Sequence, residues 1–360
     1  MSGSSIGVIF RVTTWGESHG AALGAVVDGC PAGIDLTEAD IDRETGRRSP
    51  GKDSAGSPRR ERDRVEILSG VFQGKTTGTP ISLLIRNEDA READYDALKD
   101  VFRPGHGDLT YHKKYGYRDH RGGGRASGRE TAARVAAGVI AKKVIAPEDI
   151  TVTAFTREIA GIVASGYDPE EVVRNQLFSP DAKAVPLMVQ ELERAGQEGD
   201  SLGGIVEIHV TGCPAGLGEP VFDKIDADLA KALMSIGTVK GVEIGAGFQV
   251  AHMTGSQCND PLSPEGSLSN NAGGILAGIT NGEDILIRIA CKPIASIGRT
   301  QNTIDIHNNP VTISVGGRHD VCVIPRIIPV CEAMVAIVLA DHLLRQRRMG
   351  GSERRCSDEE

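Results

Sequence analysis

Short runs of β-branched and aliphatic residues recur along the chain, each bounded by Gly or Pro. They predict strands over 23–28, 65–72, 81–86, 205–211, 284–290 and 311–315. Between them, apolar positions fall at helical spacing over 37–46, 130–145, 222–235 and 330–346. The segment ETAARVAAGVIAKKVI is Ala-rich and amphipathic, and its Ser127–Glu130 start resembles a capping box. The last helix ends in LLRQRRMGG, with basic residues near its C-terminus and Gly beyond. No shift in composition marks a linker. The expectation is one α+β domain over 1–348, followed by a polar, disordered tail over 349–360.

The pattern also repeats. Residues 16–33, GESHGAALGAVVDGCPAG, align without a gap on 199–216, GDSLGGIVEIHVTGCPAG. A weaker pair sets 70–87 against 274–291 in the same order. One supersecondary unit used twice predicts a pseudo-twofold domain, with halves at about 6–145 and 195–345. The copies differ where it matters: His19 in the first faces Leu202 in the second. The scaffold therefore does not require a His there.

Composition narrows the function classes. Glycine is abundant at 45 residues, against one Trp, five Tyr and seven Phe, which suits tight turns and close backbone approach to a ligand. No stretch reaches the roughly 18 uninterrupted apolar residues of a membrane span. The N-terminus has no basic region leading into an apolar run. Seven scattered Cys, without a C-x-x-C spacing, argue against a disulfide framework and against a zinc site, so no metal is expected. These features predict a reduced, cytoplasmic protein without a membrane partner. Net charge is −9, yet cations crowd two stretches: Arg47 to Arg64, including Lys52, and Arg103 to Arg134. Such crowding is either a pocket for a small anion or two solvated basic faces.

Four constellations could carry chemistry. Trp15-Gly-Glu-Ser-His-Gly20 leaves the His19 imidazole room to meet a ligand and to protonate a departing oxyanion. Phe102-Arg-Pro-Gly-His-Gly-Asp108 lets Arg103 and His106 project from one turn, a pairing suited to a phosphate. Arg121-Gly-Gly-Gly-Arg-Ala-Ser-Gly-Arg129 runs into a helix whose first N–H groups, flanked by Arg, make an anion site. Arg129 and Arg134 stand roughly 140° apart around that helix. Last, Gly316-Gly-Arg-His-Asp320 offers a buried base or an ion pair with Arg318, with Glu332 beyond it and Lys292-Pro-Ile-Ala-Ser296 as a further cationic loop. Gly70 to Thr76 imitates a Walker A loop but is one residue short. For His19 and the Arg103 loop, a plain structural turn is the competing reading. The few aromatics and the acidic balance count against nucleic acid.

Together these segments resemble the chorismate synthase family, from about Ile6 to Arg348. Three family signatures carry the resemblance: Gly16 to Pro31, Gly122 to Gly138, and Arg318 to Glu332. RPGH, KGVEIG at 240–245 and DHLLRQ at 341–346 add to it. The resemblance implies a β-α-β sandwich, a homotetramer, and a lyase of the shikimate pathway. Its reaction is a 1,4-trans-elimination: 5-enolpyruvylshikimate-3-phosphate (EPSP) loses its 3-phosphate and a C6 hydrogen, giving chorismate with no net redox change. Reduced FMN is the implied cofactor. NADPH enters only indirectly, to reduce flavin, and with no built-in reductase segment evident a separate flavin reductase is expected.

By the same resemblance, His19 protonates the leaving phosphate and His106 keeps the reduced flavin in the right charge state. Asp320 helps move the C6 proton through flavin N5, while Ser18 and Ser127 relay protons. Arg48, Arg103, Arg129, Arg134 and Arg318 match substrate- and phosphate-binding arginines. FMN lies against Arg125, Ala126, Ser127, Gly237, Thr238, Gly278, Lys292, Pro293, Ile294, Ala295, Ser296 and Arg318. Departures from the family pattern fall at Ser54, Ala126, Gly237-Thr238 and Ile294-Ala295. A flavin-free phosphoryl enzyme and a non-catalytic anion or RNA binder are the alternatives; retention of His19, His106 and Asp320 favours an enzyme.

Overall fold

A computed structural model describes residues 3–48, 63–87, 98–264, 266–315 and 320–349. The alternating pattern of the first half closes a five-stranded antiparallel sheet from β1 (Ser5–Ile6), β2 (Arg11–Gly16), β3 (Ala22–Asp28), β4 (Val65–Ile67) and β5 (Ile81–Arg86), in the order β1-β2-β3-β5-β4. A second sheet holds β6 (Thr151–Ile159), β7 (Ile162–Val163), β8 (Gly204–Thr211), β9 (Val239–Ile244) and β10 (Ile285–Cys291), in the order β9-β10-β8-β6-β7. The longer helices are α1 (Glu38–Arg48), α2 (Asp108–Tyr115), α3 (Thr131–Ile145), α4 (Ala184–Gln197), α5 (Ile225–Met234) and α6 (Ile324–Arg348). Helix α3 packs on β3 and β5 of the first sheet, α6 on β6 and β8 of the second, and the two helices pack on each other. The expected β-α-β sandwich is present, with its core between the sheets.

The repeat holds at the level of single hydrogen bonds. Leu23, Ala25 and Val27 pair with Ile85, Leu83 and Ile81; Val206, Ile208 and Val210 pair with Ile289, Ile287 and Ile285. Thr76 Oγ1 donates to the Pro31 carbonyl at 2.7 Å and accepts from Ile34 N–H; Thr280 Oγ1 donates to Pro214 at 2.6 Å and accepts from Leu217 N–H. Cys30 and Cys213 are buried beside these clamps, and burial pushes both thiols up to about 11, which makes them packing groups rather than nucleophiles. Lys75, the cation of the Walker-like segment, is exposed and bonded to Asp35 on this turn. The segment is a β-ribbon (71–72 with 75–76), matched by the ribbon 275–276 with 279–280.

Several boundaries differ from expectation. The 65–72 strand breaks at Leu68, because Gly70 at φ +79° turns the chain into the ribbon. Helix α6 begins at Ile324 rather than 330 and carries Pro325 and Pro329 in its first two turns. Pro325 needs no intrahelical N–H partner there, and burial of nearly every α6 side chain outweighs the bond lost at Pro329. An 18-residue window of α6 has a mean hydropathy of 2.0, all of it buried inside the protein. Ser127 does cap the next turn, accepting from Arg129 N–H, but Glu130 turns away to Arg134 instead of completing the capping box.

Charge enters the helical layer only in balanced form. Glu332 on α6 takes two hydrogen bonds from Arg47 at 2.7 and 3.0 Å and one from Lys142 at 2.7 Å. Glu44 shares both cations. Burial alone would raise the Glu332 carboxyl, but Arg47 and Lys142 outweigh it and hold it below the usual range. Near the other end of α6, Asp341 Oδ1 accepts the N–H groups of Val8, Ile9 and Phe10, tying the N-terminal strand region to the last helix.

Glu332→Gln removes the buried charge that two half-buried cations share, with Glu44 left to hold both, so it is expected to lower the unfolding free energy at pH 7 by about 2 kcal/mol. Because its folded pKa is depressed, the contribution is present above the unfolded carboxylate pKa of about 4.3 and is lost as pH falls through the folded value. Urea unfolding of both proteins from pH 7 to pH 3 should therefore show the gap narrowing in acid. A gap that stayed constant would mean that Glu332 is not the charged partner.

Candidate functional site

Loops from both halves meet around a cavity of about 1350 Å³. The turn after β2 contributes His19; the loop before α2 contributes Arg103 and His106; the Gly-rich loop before α3 contributes Arg125, Ala126, Ser127 and Arg129, and α3 itself adds Arg134. The second half adds Gly237 and Thr238 before β9, Lys292 to Ser296 after β10, and Asp320 before α6. Arg48 reaches the same cavity from the last residue of α1. Segments separated by 300 residues in sequence thus face one volume. Ser18 lies just behind the wall, its Oγ 3.1 Å from His19 Nδ1.

A glycine sets the position of His19. Gly122 has φ +68°, and a Cβ there would stand 2.5 Å from the imidazole Cε1 and Nδ1 and 3.0 Å from Ser18 Oγ. Only a residue without a side chain lets the Gly-rich loop close over the ring. The matching copy carries Ser201 and Leu202. Ser201 Oγ, buried like Ser18, donates to the Ile294 carbonyl at 2.7 Å. Both copies of the motif therefore serve the same cavity, one with an imidazole and the other as a clamp on the 292–296 loop.

The arginines have carboxylate partners that sequence reasoning missed. Asp63, fully buried, receives Arg48 on one oxygen at 2.8 Å and Arg129 on the other. Arg48 also reaches Thr131 and the Gly128 carbonyl; Arg129 reaches Asn87 and the Arg86 carbonyl. Burial brings Arg48 down to about 10, and Asp63 opposes that shift. Asp63 itself is held below its ordinary value, burial being outweighed by the two guanidiniums. Asp108 accepts two hydrogen bonds from the Arg103 guanidinium, at 2.7 and 2.9 Å, with Arg118 at 3.3 Å and His106 Nδ1 at 3.0 Å from the same carboxylate. Its burial is outweighed by these partners, and its carboxyl stays well below the usual range. Glu130 takes Arg134 Nε at 2.7 Å and the Thr14 hydroxyl at 2.6 Å, while Arg125 is engaged by the carbonyls of Gly16 and Thr14. Arg326, from the first turn of α6, contacts Asp320. Nothing in the sequence singles Asp63 out, since Asp53 and Glu61 stand among the same crowded cations of 47–64.

One expected residue does not line this cavity, and another lies outside the described residues. Gly278 is the φ +83° corner of the second-half ribbon, packed on Lys224, and is not among the residues lining the cavity. Its carbonyl accepts from Ile225 N–H at 3.0 Å, which ties the ribbon turn to α5. Arg318 lies outside the described residues, as do Lys52 and Ser54.

A family model described as chorismate synthase matches residues 10–344. The chain is 66% identical over 350 residues to the chorismate synthase of Syntrophus aciditrophicus (strain SB), covering 96% of this chain and 99% of that protein. It is 61% identical over 344 residues to that of Syntrophobacter fumaroxidans (strain DSM 10017 / MPOB), covering 96% and 98%. A solved structure titled as a crystal structure of chorismate synthase superposes with a TM-score of 0.75 at 34% identity, covering 95% of this chain and 93% of that one. Fold, cavity and full-length relatives together define an enzyme, a carbon–oxygen lyase acting on a phosphate ester. The chain belongs to the chorismate synthase family.

Gly122→Ala is expected to push the His19 ring out of place while leaving the sandwich folded. Since misplacement by about 1 Å can cost roughly 100-fold in rate, turnover should fall by that order with circular dichroism and melting temperature close to wild type. Wild-type turnover in the folded variant would remove the positioning role of Gly122.

Proposed function

We propose that this enzyme converts EPSP to chorismate and inorganic phosphate by 1,4-trans-elimination of the 3-phosphate and a C6 hydrogen, dependent on reduced FMN and without net redox change. The observation that carries the reading is the buried His19, set by Gly122 at the edge of a cavity ringed by cations. The substrate has two carboxylates and a phosphate, and a leaving phosphate needs both positive charge and a proton donor.

The chain's residues fit a flavin. A Cβ added at Gly237 would stand 3.8 Å from the Ala126 carbonyl and one at Gly105 3.5 Å from Ala295 Cβ, so neither glycine brings its loop into a clash with its neighbour. Small residues of three loops, Gly105, Ala126, Gly237 and Ala295, line the cavity together with Lys292 and Arg125, which supply cations. Arg125, Ala126, Ser127, Gly237, Thr238 and Lys292 to Ser296 would hold FMN, with Arg318 as a further partner. Bound in reduced form, the flavin supplies electron density to the breaking C–O bond and recovers it afterwards.

The protein's own part is binding and proton handling. His19 gives a proton to the departing phosphate oxygen, with Ser18 at 3.1 Å from its other nitrogen to orient the ring. Asp320 helps move the C6 proton, and Ser127 relays protons at the start of the α3 turn. His106, held against Asp108, keeps the charge at the flavin side suited to the reduced state. Arg48, Arg129 and Arg134 shape an electropositive wall, and Arg103 anchors the His106 loop. We place the enzyme in the cytoplasm as a homotetramer fed by a separate flavin reductase, with NADPH acting only through that reductase. The tetramer is supported by the family resemblance and by exposed Phe248, Leu262 and Leu268 in the 246–272 segment.

Anaerobic incubation with EPSP and chemically reduced FMN should yield chorismate and phosphate in equal amounts. Folded protein that gives no product would end this reading, and equal product without flavin would favour the phosphoryl alternative. His19→Ala should lose about 10²- to 10⁴-fold in turnover while binding FMN as wild type does. Full rate in that variant would mean that another group protonates the phosphate.

A further inference from the structure

Most cations around the cavity are already neutralised. Arg48 and Arg129 share Asp63; Arg103 and Arg118 share Asp108; Arg125 and Arg134 share Glu130; Arg326 meets Asp320. Among the described Lys and Arg side chains that line it, two have no carboxylate within ion-pair distance, Lys292 and Lys231. Lys292 Nζ is spent on the Gly105 carbonyl at 2.6 Å. Lys231 keeps its full complement of donors and is exposed toward the cavity. None of the sequence motifs includes it.

Its setting is built rather than incidental. Lys231 and Ser235 stand four residues apart at the C-terminal end of α5, on one face of the chain as it leaves the helix. Ser235 Oγ accepts from Arg134 at 2.6 Å while its own hydroxyl donates to the Ala232 carbonyl. Arg134, Ser235 and Lys231 therefore form a continuous strip that continues into Ile236, Gly237 and Thr238, all lining the cavity. Helix α5 occupies in the second half the place of α1 in the first: each follows a Gly-Cys-Pro-Ala-Gly turn and precedes a ribbon. Each brings a cation from its last turn to the same cavity, Arg48 from α1 and Lys231 from α5. The first is consumed by Asp63 and the second is not.

We propose that Lys231, with Arg134 beside it, is a binding residue for an anionic oxygen group, carboxylate or phosphate, of a small molecule in this cavity. The inference rests on the reading that EPSP and FMN occupy the site, and both carry such groups. A charge-assisted hydrogen bond of this kind changes affinity by about 10- to 100-fold. The competing account is that Lys231 only offsets the dipole at the end of α5, which would move stability and not affinity.

The test uses the full chain and its Lys231→Gln and Lys231→Arg variants. EPSP binding is read by calorimetry and oxidised FMN binding by quenching of flavin fluorescence, with a thermal melt for each protein. Lys231→Gln should weaken one ligand by about 10- to 100-fold, and Lys231→Arg should restore most of it. Loss confined to EPSP assigns the residue to the substrate; loss confined to FMN assigns it to the cofactor phosphate. Unchanged affinities for both ligands, with or without a lower melting temperature, overturn the proposal. Wild-type protein that bound neither ligand would instead overturn the functional reading on which it rests.

Discussion

A guanidinium removed from water has to meet a carboxylate, because the cost of burying it alone runs to several kcal/mol. The site is arranged around that requirement. Asp63, Asp108 and Glu130 each sit within a wall of the cavity and each hold two or more cations, so the arginines arrive with fixed directions. The same rule shapes the helical layer, where Glu332 and Glu44 carry Arg47 and Lys142. On the proposed reaction, an incoming phosphorylated dicarboxylate meets cations that are already oriented and that need little rotamer ordering on binding. It also meets carboxylates close behind them, which limits how tightly any one anion is held. For an enzyme that must release phosphate, such moderation is useful.

The duplicated scaffold supplies the frame for these pairs. Identical register in β3–β5 and β8–β10, and identical threonine clamps, show that the two halves solve the same packing problem in the same way. The second half adds the 246–272 segment, and within the aligned motif the copies part at position 19. Position 19 carries an imidazole and position 202 an aliphatic chain, whereas Ser18 and Ser201 both remain buried and hydrogen-bonded. The frame asks nothing of that side chain, which leaves position 19 free to carry the proton-donating role proposed for His19.

Much of this was legible from the chain alone, and the reasons are physical. Strands 81–86 and 205–211 and helix 130–145 carry strong periodicity between sharp breakers, so they appear close to where expected. Strands Arg11–Gly16 and Thr151–Ile159 were missed because Thr and charged residues interrupt their apolar runs. Helix Ala184–Gln197 was hidden by Pro186 in its first turn, where Pro is tolerated. Within the site, His19, His106 and the Gly-rich loop announce themselves by their unusual neighbours. Asp63 and Arg326 do not, since what defines them is a partner distant in sequence or a direction of approach. Gly278 takes a positive φ at the ribbon turn, a backbone role that the sequence reading had not assigned to it.

The central helix carries one more implication, which concerns synthesis. Helix α6 spans residues 324–348, after every strand of both sheets, yet α1, α3, α5, β6 and β8 all pack against it. The first sheet gains its cover from α3 soon after its strands, but the second sheet is translated well before α6, which covers its inner face, leaves the ribosome. The nascent chain must hold the second sheet half-covered until α6 emerges, and closure of the sandwich on that side is a late event.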